Sequence, residues 1–130
     1  MSLISRAQDL VLGERMDPPP ELRPEDVPSG VVLRRGRLVP WLGGVFARMG
    51  GPAAAVTLGG TIIVDPAARL TRSLLVHELE HVKQWREDRL FPIRYTLATL
   101  RHGYHHNPYE VEARLAAERG TTSDPNKDYA

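Results

Sequence analysis

Apolar residues in this chain fall into short runs and helical stripes, punctuated by glycine and proline. Ser2 to Leu12 places Leu3, Ala7, Leu10 and Val11 on one side of an amphipathic helix that Gly13 ends. Val31 to Val39 contains Arg34-Arg35-Gly36-Arg37, which reads as the turn of a small hairpin with its arginines forming a solvated rim. Pro40 to Gly51 mixes Trp41, Leu42, Val45, Phe46 and Met49 with paired glycines. That pattern predicts a short helix packing its apolar side. Ala54 to Leu58 and Thr61 to Val64 are short apolar runs, and Gly59-Gly60 between them suits a tight hairpin turn.

The second half is helical in pattern. Asp65-Pro66 reads as a cap or turn with a first-turn proline, and Thr71 offers a second N-cap. Leu70, Leu74, Leu75, Val76, Leu79, Val82 and Trp85 cover most of the circumference of the helix that follows, which predicts a central, buried element. Charges return at Lys83, Arg86, Glu87, Asp88 and Arg89, where this helix should end. Phe91-Pro92 opens another, with Ile93, Leu97 and Leu100 as its apolar stripe and Gly103 as its end. Asn107 and Pro108 are a good N-cap and first residue for a third, running to about Arg119 with Gly120 as its stop. The expected fold class is α+β: short antiparallel strands packed on a central helix, followed by a helical pair. Residues 17–30 are a proline-rich loop, and the polar residues 121–130 form an expected frayed tail.

Composition narrows the function classes. A length of 130 residues fits one domain with a modest core. The net charge is +1 with basic residues dispersed, which gives no nucleic-acid footprint. No apolar run approaches a membrane span, and the start lacks a signal-peptide pattern, so a cytoplasmic location without membrane association is expected. Cysteine is absent, so no thiol can serve as nucleophile or ligand.

Within the central helix, residues 77–81 read His-Glu-Leu-Glu-His. In a helix this puts two imidazoles one turn apart on one face, where they can share one Zn²⁺ ion. A glutamate beside them can take a proton from water at the metal. At about 100° per residue, Glu78 and Glu80 flank the His77/His81 direction by similar angles, so the wheel alone does not choose between them. The precedent of the motif chooses Glu78. Burying ionisable groups among apolar neighbours is costly unless they are paired or metal-bound.

Glu110 falls in the first turn of the third helix, as either the reciprocal half of a capping box or a group facing the histidines. Glu112 points about 200° away, toward solvent or a basic neighbour. Tyr104, His105, His106 and Tyr109 lie just ahead of Glu110, and any of them could donate a hydrogen bond to a developing oxyanion.

Taken together, the stretches Ala55–Val64, Leu74–Gln84 and Asn107–Ala113 resemble the gluzincin clan of zinc metallopeptidases, and most closely its small soluble, minimal members. The likeness spans the second half to two thirds of the chain. It implies a single zincin-like domain in which His77, His81 and Glu110, the last within an ExxA pattern, hold Zn²⁺. It also implies Glu78 as general base and a peptide or protein as substrate. A zinc-binding, catalytically silent or latent peptidase-like domain acting as a binding or regulatory module is the alternative. Many gluzincins carry an aspartate four residues after the glutamate ligand. Here Arg114 stands there, so the support of the site must differ.

Overall fold

The computed structural model describes residues 2–122, and the expected frayed tail from 123 onward lies outside them. The described residues form an α+β arrangement of five α-helices and one four-stranded mixed sheet. The chain divides into two compact units, Met1–Leu70 and Thr71–Ala130.

The first unit holds the sheet. Helix α1 (Leu3–Leu12) starts at Ser2, whose hydroxyl accepts from the Ser5 amide, and Gly13 ends it. Strands β1 (Glu14–Arg15), β2 (Val32–Arg35), β3 (Ala55–Leu58) and β4 (Thr61–Val64) line up in the order β1-β2-β4-β3. The β3–β4 hairpin is as expected. Its Gly59-Gly60 loop has positive φ only at the first position, the pattern of a type II′ turn. Ile62, Ile63 and Val64 of β4 are fully buried at the centre of this sheet.

Two expectations change in this unit. The arginine-rich stretch is not a hairpin turn but a strand running parallel to β4, with Leu33 opposite Ile62 and Arg35 opposite Val64. Arg34 is buried rather than solvated. Its guanidinium donates to the Asp9 carboxylate at 3.1 Å and to the Gly13 carbonyl at 2.6 Å. Arg35 donates to the carbonyls of Asp65, Pro66 and Ala68, tying off the turn after β4. These carbonyls are the lone-pair acceptors a guanidinium fork needs once it leaves water. Second, helix α2 (Leu38–Phe46) turns its large apolar side chains outward and buries Pro40 and Gly44 instead. The glycines decide this. A Cβ on Gly44 would fall 2.0 Å from the Gly51 carbonyl oxygen, and one on Gly43 2.7 Å from Val56. Backbone contact of this closeness is available only on the small-residue face.

The described residues of the second unit form three helices. In α3 (Arg72–Glu87) the Thr71 hydroxyl caps the Leu74 amide, whereas Asp65-Pro66 is a separate turn held by the Asp65 side chain on the Ala67 amide. Leu75, Glu78, His81, Val82 and Gln84 are buried, while Leu74, Val76, Leu79 and Trp85 are half-buried. No residue from Leu74 to Val82 is exposed, and exposure returns at Lys83, Arg86 and Glu87, where the charges return in the sequence. Helix α5 (Pro108–Thr122) packs along α3 more extensively than α4 (Phe91–His106) does. It runs past Gly120, which is no stop. A Cβ there would sit 3.2 Å from both Val76 methyls, so the glycine is a close-approach point between α3 and α5. Gly103, at φ 77°, does break α4 as expected. The Ile93, Leu97 and Leu100 stripe of α4 faces solvent, and the buried face carries Phe91, Tyr95 and Thr99.

Gly13 has φ 85° and ψ 177°, a conformation open essentially to glycine alone, and a Cβ there would lie 2.2 Å from the Arg35 carbonyl oxygen. Gly13→Ala should lower stability by about 1–3 kcal/mol in urea denaturation. A loss below about 0.5 kcal/mol, the scatter of ordinary surface changes, would mean that the α1–β2 junction is not held as described.

Candidate metal centre

One turn of α3 separates His77 from His81, and both imidazoles reach toward the first turn of α5. Glu110 is fixed there by its own helix start. Asn107, fully buried, accepts from the Tyr109 amide through Oδ1 at 2.9 Å, which is the N-cap bond. Its Nδ2 donates to Thr99 Oγ1 at 2.9 Å and to the Tyr95 carbonyl at 3.3 Å, both on α4. The cap thus sets the start of α5 against α4 and carries Glu110 with it. Arg114 donates to the His105 carbonyl, securing the segment after the Gly103 break.

The result is a convergent donor set. Glu110 Oε1 lies 2.6 Å from His81 Nε2 and 3.2 Å from His77 Nε2, and the three candidate ligand atoms fall within 4.8 Å of one another. Glu110 is 1% exposed and His81 7%. Glu110 therefore acts as the partner of the histidines rather than as a capping-box carboxylate. Its other oxygen, Oε2, accepts from the Tyr95 hydroxyl at 3.3 Å.

Gln84 fixes the chemistry of His81. Its amide nitrogen donates to the Tyr109 carbonyl and to Glu112 Oε2, each at 3.1 Å, and both of those groups can only accept. The amide oxygen must therefore face His81 Nδ1, at 2.8 Å, and that nitrogen must carry a hydrogen. His81 Nε2 is then the atom offered to Glu110. Imidazole nitrogens and a carboxylate oxygen aimed at one point suit a shared cation, and metal-bound histidines are commonly oriented through their other nitrogen in this way. This chain's donors thus fit a divalent metal.

Without a metal, a proton fills that role. Burial works against the charged imidazole of His81, but the hydrogen bond to Glu110 and the charges of Glu78 and Glu110 outweigh it and raise its pKa to about 9. Burial likewise favours a neutral Glu110, yet the hydrogen bonds and charges of His77 and His81 bring it down to about 2.

The other predicted site residues separate. Glu78 is 4% exposed, and its charge acts on His81, Tyr95 and Tyr104. Glu80 is less buried and lies 3.9 Å from Lys83, so only Glu78 shares the interior with the histidines. Tyr104 is half-buried beside the two carboxylates. Burial, then the charges of Glu110 and Glu78, hold its hydroxyl protonated well above the usual phenol range. His105 and His106 are exposed and pack edge to face on each other, 5.1 Å between ring centroids. Tyr109 packs its ring on Phe91, 5.1 Å away, and meets the site through its carbonyl. Glu112 is exposed, with Gln84 rather than a basic residue as its partner. Gln84 and Tyr95 are the contributors that motif reading passed over. A polar residue three positions after His81, on the face already claimed by a ligand, was the available signal for Gln84.

The family profile of the eCIS core domain matches residues 47–89. That segment covers the hairpin and α3 with both histidines, roughly a third of the chain, and stops before Glu110. No curated protein and no solved structure gives a significant match. Among the described residues, no helix is long and apolar enough to cross a membrane.

The metal-free protein should show a defined pH profile. His81, raised from 6.5, contributes stability in full below about pH 6.5 and loses it as pH rises through about 9. Glu110, lowered from 4.5, contributes in full above about pH 4.5 and loses it as pH falls toward about 2. Melting temperature after chelation should therefore be highest between these limits. Glu110→Gln should flatten the alkaline limb. An unchanged slope in that variant would detach the two groups from stability.

Proposed function

We propose that this chain is a zinc-dependent metallopeptidase of gluzincin type, acting on peptide or protein substrates. The observation that carries the reading is the convergence of His77, His81 and Glu110 within 4.8 Å, with Glu78 buried beside them. Two imidazoles and one carboxylate are a hydrolytic zinc set that leaves a position open for water. When bound, the ion would acidify that water and polarise a substrate carbonyl.

The protein groups supply the rest. Glu78, buried and adjacent to His77 in α3, accepts the water's proton and returns it to the leaving amine. Gln84 keeps His81 Nε2 available for the metal by holding the hydrogen on Nδ1. Tyr104, kept protonated by burial and neighbouring charge, is the donor suited to a developing oxyanion. The match to the eCIS core domain over the hairpin and α3 supports the same class.

Glu78→Gln tests this directly. The variant should retain the wild-type zinc content and lose peptide hydrolysis by about three orders of magnitude or more, as expected for removing a general base. Turnover retained in the variant would overturn the role of Glu78. A wild type that holds zinc and cleaves no peptide library would instead identify a metal-binding module.

A further inference from the structure

Helix α4 carries a surface that its own unit leaves open. Leu90, at its N-cap, with Ile93, Leu97 and Leu100 follow one another at intervals of three, four and three, and they are 51%, 58%, 59% and 74% exposed. Alternating intervals of three and four are the a/d pattern of a seam that receives the side chains of another helix. The inward face of the same helix is already filled. Phe91 packs on Trp85 and Tyr109, Thr99 holds the Asn107 side chain, and Tyr95 reaches Glu110. The outward stripe is therefore additional to what α4 needs to fold.

Charge selects the partner. No Asp or Glu occurs between Asp88 and Glu110, whereas Arg94 and Arg101, seven residues apart, both follow a seam position directly. In heptad terms, with Leu90 and Leu97 at a and Ile93 and Leu100 at d, both arginines are at e. Arg94 is 3.0 Å from Asp88, and no carboxylate pairs with Arg101 among the described residues. A second copy of α4 would bring the same arginine-bearing seam and no acidic residue to answer it. A helix with an apolar seam and acidic flanks matches both the spacing and the charge.

We propose that the Leu90–Leu100 seam of α4 is a docking surface for an acidic amphipathic helix of another polypeptide. The seam holds neither metal donor nor general base, so it is independent of the zinc reading. Four apolar side chains with one free arginine fit a modest, salt-sensitive affinity.

Two fluorescent synthetic helices of about three heptads provide the probes, both with Leu at the seam positions. One has Glu at the flanking positions and the other Lys. Fluorescence anisotropy with the full chain should show saturable binding of the Glu peptide and about tenfold weaker binding of the Lys peptide. Leu97→Ser should weaken the Glu peptide by about tenfold with the circular dichroism spectrum unchanged. Arg101→Glu should narrow or reverse the preference, and it keeps the test decisive if Leu97→Ser folds poorly. Three outcomes would overturn the proposal. These are no saturable binding of either peptide, equal binding of both, or seam-dependent binding only to phosphatidylserine vesicles or to a second copy of the chain.

Discussion

A carboxylate buried to 1% exposure cannot stand alone in a protein interior, and the second unit is organised around satisfying Glu110. Three elements contribute. Helix α3 brings His77 and His81, α4 brings Tyr95, and the Asn107 cap holds the carboxylate at the start of α5. Removing any partner leaves charge without compensation in a low-dielectric site, which costs more than the pair itself contributes. The same constraint produces a place where one cation is shared by three donors. Packing of this unit and the chemistry of the site therefore have a common origin.

This explains the unusual content of the α3 interior. Three of its five buried residues are polar, Glu78, His81 and Gln84, beside Leu75 and Val82. Gln84 uses both amide hydrogens and its oxygen to join His81 to the Tyr109 carbonyl and Glu112, and so links α3 to α5 through hydrogen bonds as well as contact. Gly120 completes the approach at the far end, where its missing side chain makes room for Val76. Arg114 binds the His105 carbonyl after the Gly103 break. Orientation of His81 passes to Gln84.

Much of this was legible in the sequence, and the exceptions share a cause. The HELEH spacing, the Thr71 and Asn107 caps, the Gly59-Gly60 turn and the break at Gly103 are local features, each determined by a few neighbouring residues. The donor role of Glu110 is non-local. Sequence spacing left it open between a helix cap and a ligand, and only the return of α5 onto α3 separates the two. Periodicity reported the apolar stripes of α2 and α4 correctly but not which way they face. In α2 the glycine face packs because backbone contact excludes larger groups. In α4 the aromatic face packs because Tyr95 and Phe91 lie around Glu110 and Tyr109. Arg34 was misread for a related reason. Its acceptors, Asp9 and the Gly13 carbonyl, lie more than twenty positions away in the chain.

The most direct measurement is the metal content of the full chain, purified without added metal and again after zinc is supplied, beside Glu110→Ala. The expected result is about one zinc per wild-type chain, with a melting temperature that falls on chelation, and weak or no retention in the variant. A folded wild type that takes up no zinc, with a melting temperature indifferent to chelator, would reduce the three residues to a buried ion pair.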